Sequence, residues 1–304
     1  MPGATTVHQS VLLHETIDPL LEALKASGGG TPAWIVDCTL GGGGHTAALL
    51  EAGARVISFD QDAGAFQAAS KRFEAEIREG RLEIVHAPFA SAAERLQGRR
   101  VIGILADLGF SSDQLEDAAR GLSFLNDGPL DMRMDRSRGE TARELLSRLP
   151  ETEIADLIYE LGEERFSRRI ARRIVEERGR GGIPDSTATL ARWVISALPG
   201  SARHGRIHGA TRTFQALRIA VNDELGQLDA LLDHVILSLA PGGRMSVISF
   251  HSLEDRKVKV AFKRLGQGGG FRILTKKPIE AQDDEVKRNS RARSAKLRVI
   301  ERVE

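Results

Sequence analysis

The segment Trp34-Ile-Val-Asp-Cys-Thr-Leu-Gly-Gly-Gly-Gly-His45 constrains this chain more than any other. An apolar strand runs into four glycines, helix formers follow, and a second apolar strand, Arg55-Val-Ile-Ser-Phe-Asp60, ends on a carboxylate. Glycines let the backbone turn tightly and approach a ligand without a Cβ in the way, and an acid at the tip of the next strand can accept from two ribose hydroxyls. The pattern predicts a site for a nucleoside-bearing cofactor. A P-loop would need Gly-Lys-Ser/Thr at the end of the glycine run, which is absent, so a triphosphate is excluded.

Two further apolar segments, Leu82 to His86 and Val101 to Ala106, alternate with stretches of helix formers. That alternation predicts an α/β fold with a doubly wound, mostly parallel sheet whose ligand lies beyond the carboxyl ends of the strands, where Asp37, Asp60 and Asp107 fall. A later strand, Arg244 to Ser249, follows Pro241-Gly-Gly243, and Lys296 to Glu301 can close the sheet. Between them the pattern changes: Ile154, Leu157, Ile158 and Leu161 share one helical stripe, and Phe166, Ile170 and Ile174 continue another. The organisation expected is a discontinuous sheet domain, residues 1–115 and 210–304, interrupted by a mainly helical insertion, 116–209, as the substrate-recognition domain.

Apolar content of 41% and charged content of 28% are those of a globular chain. With a net charge of only +1, any affinity for nucleic acid must reside in local basic patches. The single cysteine, Cys38, excludes an intrachain disulfide framework and a CxxC metal site, which suits a reducing compartment. With no membrane-length apolar run and no signal-peptide pattern at the start, a cytoplasmic location without membrane contact is expected.

Gly42-x-Gly44-x-x-Ala47 satisfies the dinucleotide fingerprint, which leaves a nicotinamide oxidoreductase open. Four consecutive glycines before a histidine better suit the short amino-acid tail of S-adenosylmethionine, which has no pyrophosphate to place on a helix N-terminus. In His86-Ala-Pro-Phe89 a ring follows the third strand, where it can lie against adenine or serve the core. Asp107-Leu-Gly-Phe-Ser-Ser112 leaves the fourth strand where a reacting group would sit, and a carboxylate there is hard to explain by packing. Cys38 follows the first strand and not the fourth, so thiolate addition to a pyrimidine carbon is excluded and a small buried residue expected. His204 and His208 have metal-ligand spacing but no evident third ligand, so no metal is expected.

Arg165, Arg168, Arg169, Arg172 and Arg173 are interleaved with Glu163, Glu164, Glu176 and Glu177, which favours a salt-bridged face over phosphate binding. The tail Lys287 to Arg298 has no acid among its cations and suits phosphate contacts. In the helix Thr211 to Leu225 the stripe Thr211, Gln215, Arg218 and Asn222 is expected to border the cleft. Ser249-Phe-His-Ser-Leu-Glu-Asp-Arg256 contains the residue types of a hydrolase triad, but one turn cannot form that relay; it is expected to line a substrate.

The words His8 to Leu13, Asp37 to His45, Ser111-Ser-Asp-Gln-Leu115, Arg120 to Phe124, Gly128 to Asp135, Gly162 to Phe166, Thr211 to Leu225, Ser249 to Arg256 and Arg293 to Arg298 cover nearly the whole chain. Together they resemble the bacterial ribosomal RNA small subunit methyltransferase H family. The resemblance implies a Rossmann-like methyltransferase fold with an inserted helical domain, S-adenosylmethionine as methyl donor, and the N4 of a cytidine in the decoding region of 16S ribosomal RNA as acceptor. By position, Gly43, Gly44 and His45 would meet the cofactor's methionine end, Asp60 its ribose, and Phe89, Asp107 and Gln114 the rest. Phe110 and Gly209 depart from the family pattern.

Asp107, or a backbone carbonyl beside it, is the candidate to hold the cytosine amine, with Ser111, Ser112, Ser249 and His251 lining the base pocket. The partner expected is 16S ribosomal RNA or the small ribosomal subunit. The sequence leaves open a homodimer, and a non-catalytic ribosome-assembly factor that binds RNA is the rival reading.

Overall fold

The computed structural model describes residues 10–28, 32–110, 114–115, 117–203 and 208–304. The chain divides into two compact units, Met1–Ser111 with Leu225–Glu304, and Ser112–Glu224.

In the first unit the described residues form one seven-stranded sheet: β1 (Trp34–Asp37), β2 (Arg55–Asp60), β3 (Leu82–His86), β4 (Val101–Asp107), β5 (Leu239–Ser249), β6 (Phe271–Ile273) and β7 (Lys296–Arg302). Their order is β3-β2-β1-β4-β5-β7-β6. The first five are mutually parallel, whereas β7 runs antiparallel to both β5 and β6. This is the doubly wound, mostly parallel sheet expected from the strand pattern, and the Rossmann-like methyltransferase fold that the resemblance implied. The reversal of β7 and the short β6 were not visible in it.

Successive residues of a strand face opposite sides, so a sheet covered on both faces needs apolar residues at every position. Ile35, Val56, Ile102 and Leu105 pack on one side with Ile17 and Leu20 of helix Leu13–Ala26 and Leu49 of helix Gly44–Glu51. Val36, Ile57, Ile104 and Ala106 pack on the other with Leu228, Leu231, Val258 and Phe262, from helices Glu224–Asp233 and Ser252–Gln267. The loops that carry the polar residues leave the sheet at the carboxyl ends of β1, β2, β4 and β5.

The second unit is helical: Ala142–Arg148, Glu151–Gly162, Ser167–Gly181, Thr187–Ala197 and Thr211–Asn222 surround Ile154, Ile158, Ile170, Ile174, Leu190 and Leu217. Thr141 opens the first of these with a reciprocal capping box to Glu144. Gly162 permits a close helix crossing, since a Cβ there would come within 2.5 Å of the Arg212 carbonyl. Helix Thr211–Asn222, expected in the sheet domain, makes its packing contacts with Glu151–Gly162 and Ala142–Arg148, so this unit ends at Glu224 and not at Gly209.

The polar stripe of that helix has an internal use. Gln215 Nε2 donates to the Leu161 carbonyl at 3.2 Å, and Arg218 forms a two-pronged ion pair with Glu224 at 2.8 and 2.9 Å. Asn222 accepts from Met134 N–H at 2.7 Å and donates to the Met132 carbonyl at 2.8 Å. It thereby pins a turn in which Met132 takes a left-handed φ of 66°, costly for a residue with a side chain. Asn222→Ala removes both supports at once. A loss of about 2–3 kcal/mol is expected for these part-buried bonds, measured as a lower midpoint in urea unfolding; an unchanged midpoint would contradict the role.

Candidate active site

The glycine loop is braced from beneath by the acid that the sequence pattern assigned to a ribose. Asp60 Oδ2 accepts the Gly41 N–H at 2.8 Å, and Oδ1 accepts the Asp62 N–H at 2.8 Å. Gly41 and Gly43 adopt φ of 48° and 74°, and a Cβ on Gly43 would lie 2.8 Å from the Phe73 ring. Arg72 donates to the Gly42 carbonyl at 2.7 Å while lying over Phe73, which clamps the loop from the outside. Arg72, Phe73 and Asp62, which also caps helix Ala63–Arg72, were not singled out in the sequence.

Below the loop lies a buried polar chain. Asp37 accepts from Thr39 N–H at 3.0 Å and from Thr46 Oγ1 at 2.7 Å, and the Thr46 hydroxyl is 2.8 Å from that of Ser58. Burial pushes Asp37 up to about 6 against the pull of these hydrogen bonds. Burial likewise raises Asp60 above the usual carboxylate range, its two backbone N–H donors opposing. Cys38 is buried and its thiol is pushed further up, so it is no nucleophile at neutral pH.

Asp107 closes β4, its N–H donating to Thr39 Oγ1 at 2.7 Å. Its side chain is 13% exposed, with Oδ2 3.9 Å from Nδ1 of the buried His45. Oδ1 is buried and accepts no hydrogen bond from any described residue. Burial raises the Asp107 pKa to about 7; the charge of Arg291 opposes the rise, and those of Asp37 and Glu254 add to it. Arg291, placed by sequence in the basic tail, thus acts at the strand ends, where its guanidinium also lies 5.2 Å from the centre of the Phe250 ring.

The loop after β5 stands next to Asp107, because Asp107 pairs with Ile248 in the sheet and Leu108 N–H donates to the Ile248 carbonyl at 3.0 Å. His251 ends this loop as the cap of helix Ser252–Gln267, in a capping box with Glu254. Ser249, expected to line the base pocket, turns its buried hydroxyl instead to the Lys296 carbonyl of β7 at 3.3 Å. Phe89 opens a short 3-10 turn and is partly buried against the core, while His86 stacks on Phe66 with ring centres 5.3 Å apart. Gln114 belongs to the second unit. Ser111 and Ser112, and His204 of the candidate metal pair, lie outside the described residues; His208 stacks on Phe124.

Several cations expected on RNA are already paired. Lys287 meets Asp284 at 3.1 Å, and Arg298 and Lys296 meet Asp255 at 2.7 and 3.8 Å. In the arginine-rich helix, Arg173 and Arg180 share Glu177, and Arg172 lies 3.7 Å from Glu151.

A model of the MraW methylase family matches residues 5–303. The chain belongs to this family. Curated relatives include proteins named ribosomal RNA small subunit methyltransferase H from Synechococcus sp. (strain CC9902), 54% identical with 88% of this chain and 90% of that one covered. Those of Sorangium cellulosum (strain So ce56) and Prochlorococcus marinus (strain MIT 9303) are 54% and 49% identical, covering 88% and 97% of this chain and 84% and 93% of theirs. Among solved structures, an rRNA methylase from Streptococcus thermophilus aligns at TM-score 0.41 and 13% identity, over 94% of this chain and 93% of that one.

As a member of the MraW methylase family the chain is a methyltransferase and its cofactor is S-adenosylmethionine, which removes the nicotinamide alternative left open by the glycine fingerprint. The residues present fit that group: a glycine turn with left-handed φ at Gly41 and Gly43, where a side chain would be strained, and Asp60 at the next strand tip with lone pairs to spare. Among the described residues no helix is long and apolar enough to cross a membrane.

The buried acid predicts a pH signature. Between the ordinary value of 3.8 and about 7 the folded chain keeps an Asp107 proton that the unfolded chain has lost, so stability falls as pH rises through that window. Asparagine carries no such penalty. The melting temperature of Asp107→Asn relative to the parent chain should therefore rise from pH 5 to pH 8, as followed by differential scanning fluorimetry. Parallel pH profiles for the two proteins would show that Asp107 titrates normally.

Proposed function

We propose that this chain transfers a methyl group from S-adenosylmethionine to the exocyclic N4 of a cytidine in the decoding region of 16S ribosomal RNA, acting in the cytoplasm on the RNA or on the small ribosomal subunit. The observation that carries the proposal is the unfilled Asp107 acceptor at the end of β4, in a member of a methylase family whose relatives carry that ribosomal RNA name.

The cofactor, when bound, supplies a methyl carbon on a sulfonium, so the protein's task is to align the acceptor nitrogen and manage its proton. Cytosine's amine delocalises its lone pair into the ring and is a poor nucleophile until that nitrogen pyramidalises. Asp107 Oδ1 can accept one N–H of the amine and hold the nitrogen as the N–C bond forms and the C–S bond breaks. The same carboxylate then takes the proton that the nitrogen must lose. Arg291 favours the ionised form that this requires, and a neighbouring sulfonium charge would favour it further. Asp60 holds the glycine turn, and with lone pairs to spare accepts ribose hydroxyls. Gly43, Gly44 and His45 border the methionine end, Phe89 and Gln114 make the remaining cofactor contacts, and Ser111, Ser112 and His251 line the base pocket. The second unit recognises the RNA. The chain works as a monomer or a homodimer.

The deciding measurement is transfer from isotope-labelled S-adenosylmethionine to small subunits lacking the modification, with the labelled nucleoside identified by mass spectrometry. N4-methylcytidine at one position is expected; cofactor binding with no label on any subunit intermediate would favour the RNA-binding assembly factor. Asp107→Asn should keep cofactor affinity within a few-fold in calorimetry yet lose roughly 10²-fold or more in kcat, the size of a general-base contribution. Full turnover would remove Asp107 from the reaction. For the parent chain kcat/KM should climb with pH through about 7, as the Asp107 carboxylate becomes ionised.

A further inference from the structure

His251, in the loop that follows the strand paired with that of Asp107, carries a second unfilled polar group. Its side chain is 11% exposed, and its Nε2 is buried without a hydrogen bond: Glu254 Oε1 lies 3.1 Å away but off the line of one. The other ring nitrogen, Nδ1, faces the Glu254 backbone N–H at 3.5 Å and so takes the acceptor's place in the capping box. A neutral imidazole that accepts at Nδ1 carries its hydrogen on Nε2. The Glu254 carboxylate next to Nε2 favours the same tautomer, since a lone pair turned to a carboxylate would be repelled.

Glu254 is itself held firmly enough to impose this choice. It is 3% exposed, and Oε2 accepts the Phe250 N–H at 2.8 Å and the His251 N–H at 3.3 Å. The loop it holds is packed against the Asp107 segment: a Cβ on Gly109 would meet the Phe250 ring at 3.7 Å, and Arg291 covers that ring. Two buried, unspent groups therefore stand at the ends of neighbouring strands β4 and β5, one an acceptor and one a donor.

We infer that this pair reads the base: Asp107 Oδ1 accepts from the cytosine N4 amine while His251 Nε2–H donates to ring N3, with Glu254 as the positioning residue that sets the His251 tautomer. The inference rests on the function proposed above and names which edge of the base is recognised. Cytosine presents a donor at N4 next to an acceptor at N3. Uracil presents an acceptor at O4 next to an N3–H donor, so both protein groups would meet their own kind. Leaving two buried polar groups unpaired is the strongest form of discrimination a pocket has. The Arg291 charge favours Asp107 as an acceptor, and the Glu254 carboxylate favours Nε2 as a donor.

The test uses small subunits reconstituted around RNA with either cytidine or 3-deazacytidine at the target position; the deaza base keeps the amine but replaces N3 by C–H. With the parent chain the deaza base should lower kcat/KM about 10- to 100-fold, the cost of one buried unpaired donor. His251→Phe should lose a similar factor on cytidine and almost nothing more on the deaza base, with cofactor affinity unchanged. His251→Gln, which restores an N–H donor, should recover part of the loss. In Glu254→Gln, selective ¹⁵N-histidine spectra should show the His251 ring moving to a mixture of tautomers while the fold's other histidine signals stay in place. Independent, multiplicative losses from His251→Phe and the deaza base would overturn the pairing, as would a His251→Phe enzyme at the parental rate. A parent chain that labels no subunit overturns the proposed function and this inference with it, whereas labelling of cytidine and deazacytidine at equal rates overturns the inference alone.

Discussion

Three carboxylates at the ends of adjacent parallel strands are the constraint around which this sheet unit is arranged. A buried anion is costly unless it is hydrogen-bonded or neutralised, and like charges nearby raise the cost further. Asp37 is answered by Thr39 and Thr46, and Asp60 by the Gly41 and Asp62 N–H groups. These partners are what give the glycine loop its shape: Thr46 lies in the helix that the loop starts, and Gly41 is the loop's first glycine. Asp107 alone keeps an oxygen with no donor among the described residues. The protein satisfies two members of the row with its own groups and leaves an oxygen of the third without a described donor.

The reversed strand β7 explains how distant sequence reaches this row. Because β7 is antiparallel to β5, its first residue, Lys296, pairs with the last residue of β5, Ser249. The segment just before β7 therefore arrives at the carboxyl ends of the parallel strands, which brings Arg291 over Phe250. A parallel seventh strand would have delivered the same residues to the opposite edge. The topology also explains the ion pairs of Asp255 with Lys296 and Arg298, which tie the first turn of helix Ser252–Gln267 to β7. The basic run is in good part a structural clasp, and removing it would remove a sheet strand with Leu297, Val299 and Ile300 from the core.

What was legible in the sequence was whatever depends on local spacing. The alternation of apolar runs revealed β1 to β5, the glycine run and the Asp60 carboxylate revealed the tight turn after β1, and the 3.6-residue stripes revealed the helical unit. What was not legible depends on partners far away in the chain. The amides of Thr211–Asn222 have the composition of a cleft border, yet their bonds go to Leu161, Met132 and Met134 within their own unit. Ser249 has the residue type of a pocket lining, but its place on β5 turns it to β7. Glu254 offered a readable signal, standing three residues after a helix cap, although a histidine cap disguises the usual Ser/Thr pattern. Arg291 offered none, since only the sheet's closing reversal separates it from the neighbouring tail cations.

A buried, donorless carboxylate is also a thermodynamic liability, and the arrangement around Asp107 shows how it is tolerated. Arg291 supplies a compensating charge, while Asp37 and Glu254 work against it, so the site rests near the point where the acid can be either protonated or ionised. Were Asp107 fully paired within the protein, its carboxylate would be more stable and chemically spent, unable to accept a further hydrogen without first losing a bond. Were the Arg291 charge absent, burial and the neighbouring acids would favour the protonated form, a donor. The compromise trades folding stability for a group poised to change state when its surroundings gain a charge or a hydrogen-bond donor. Under the proposed function, that is the electrostatic demand of transferring a methyl group from a sulfonium to a weakly nucleophilic nitrogen.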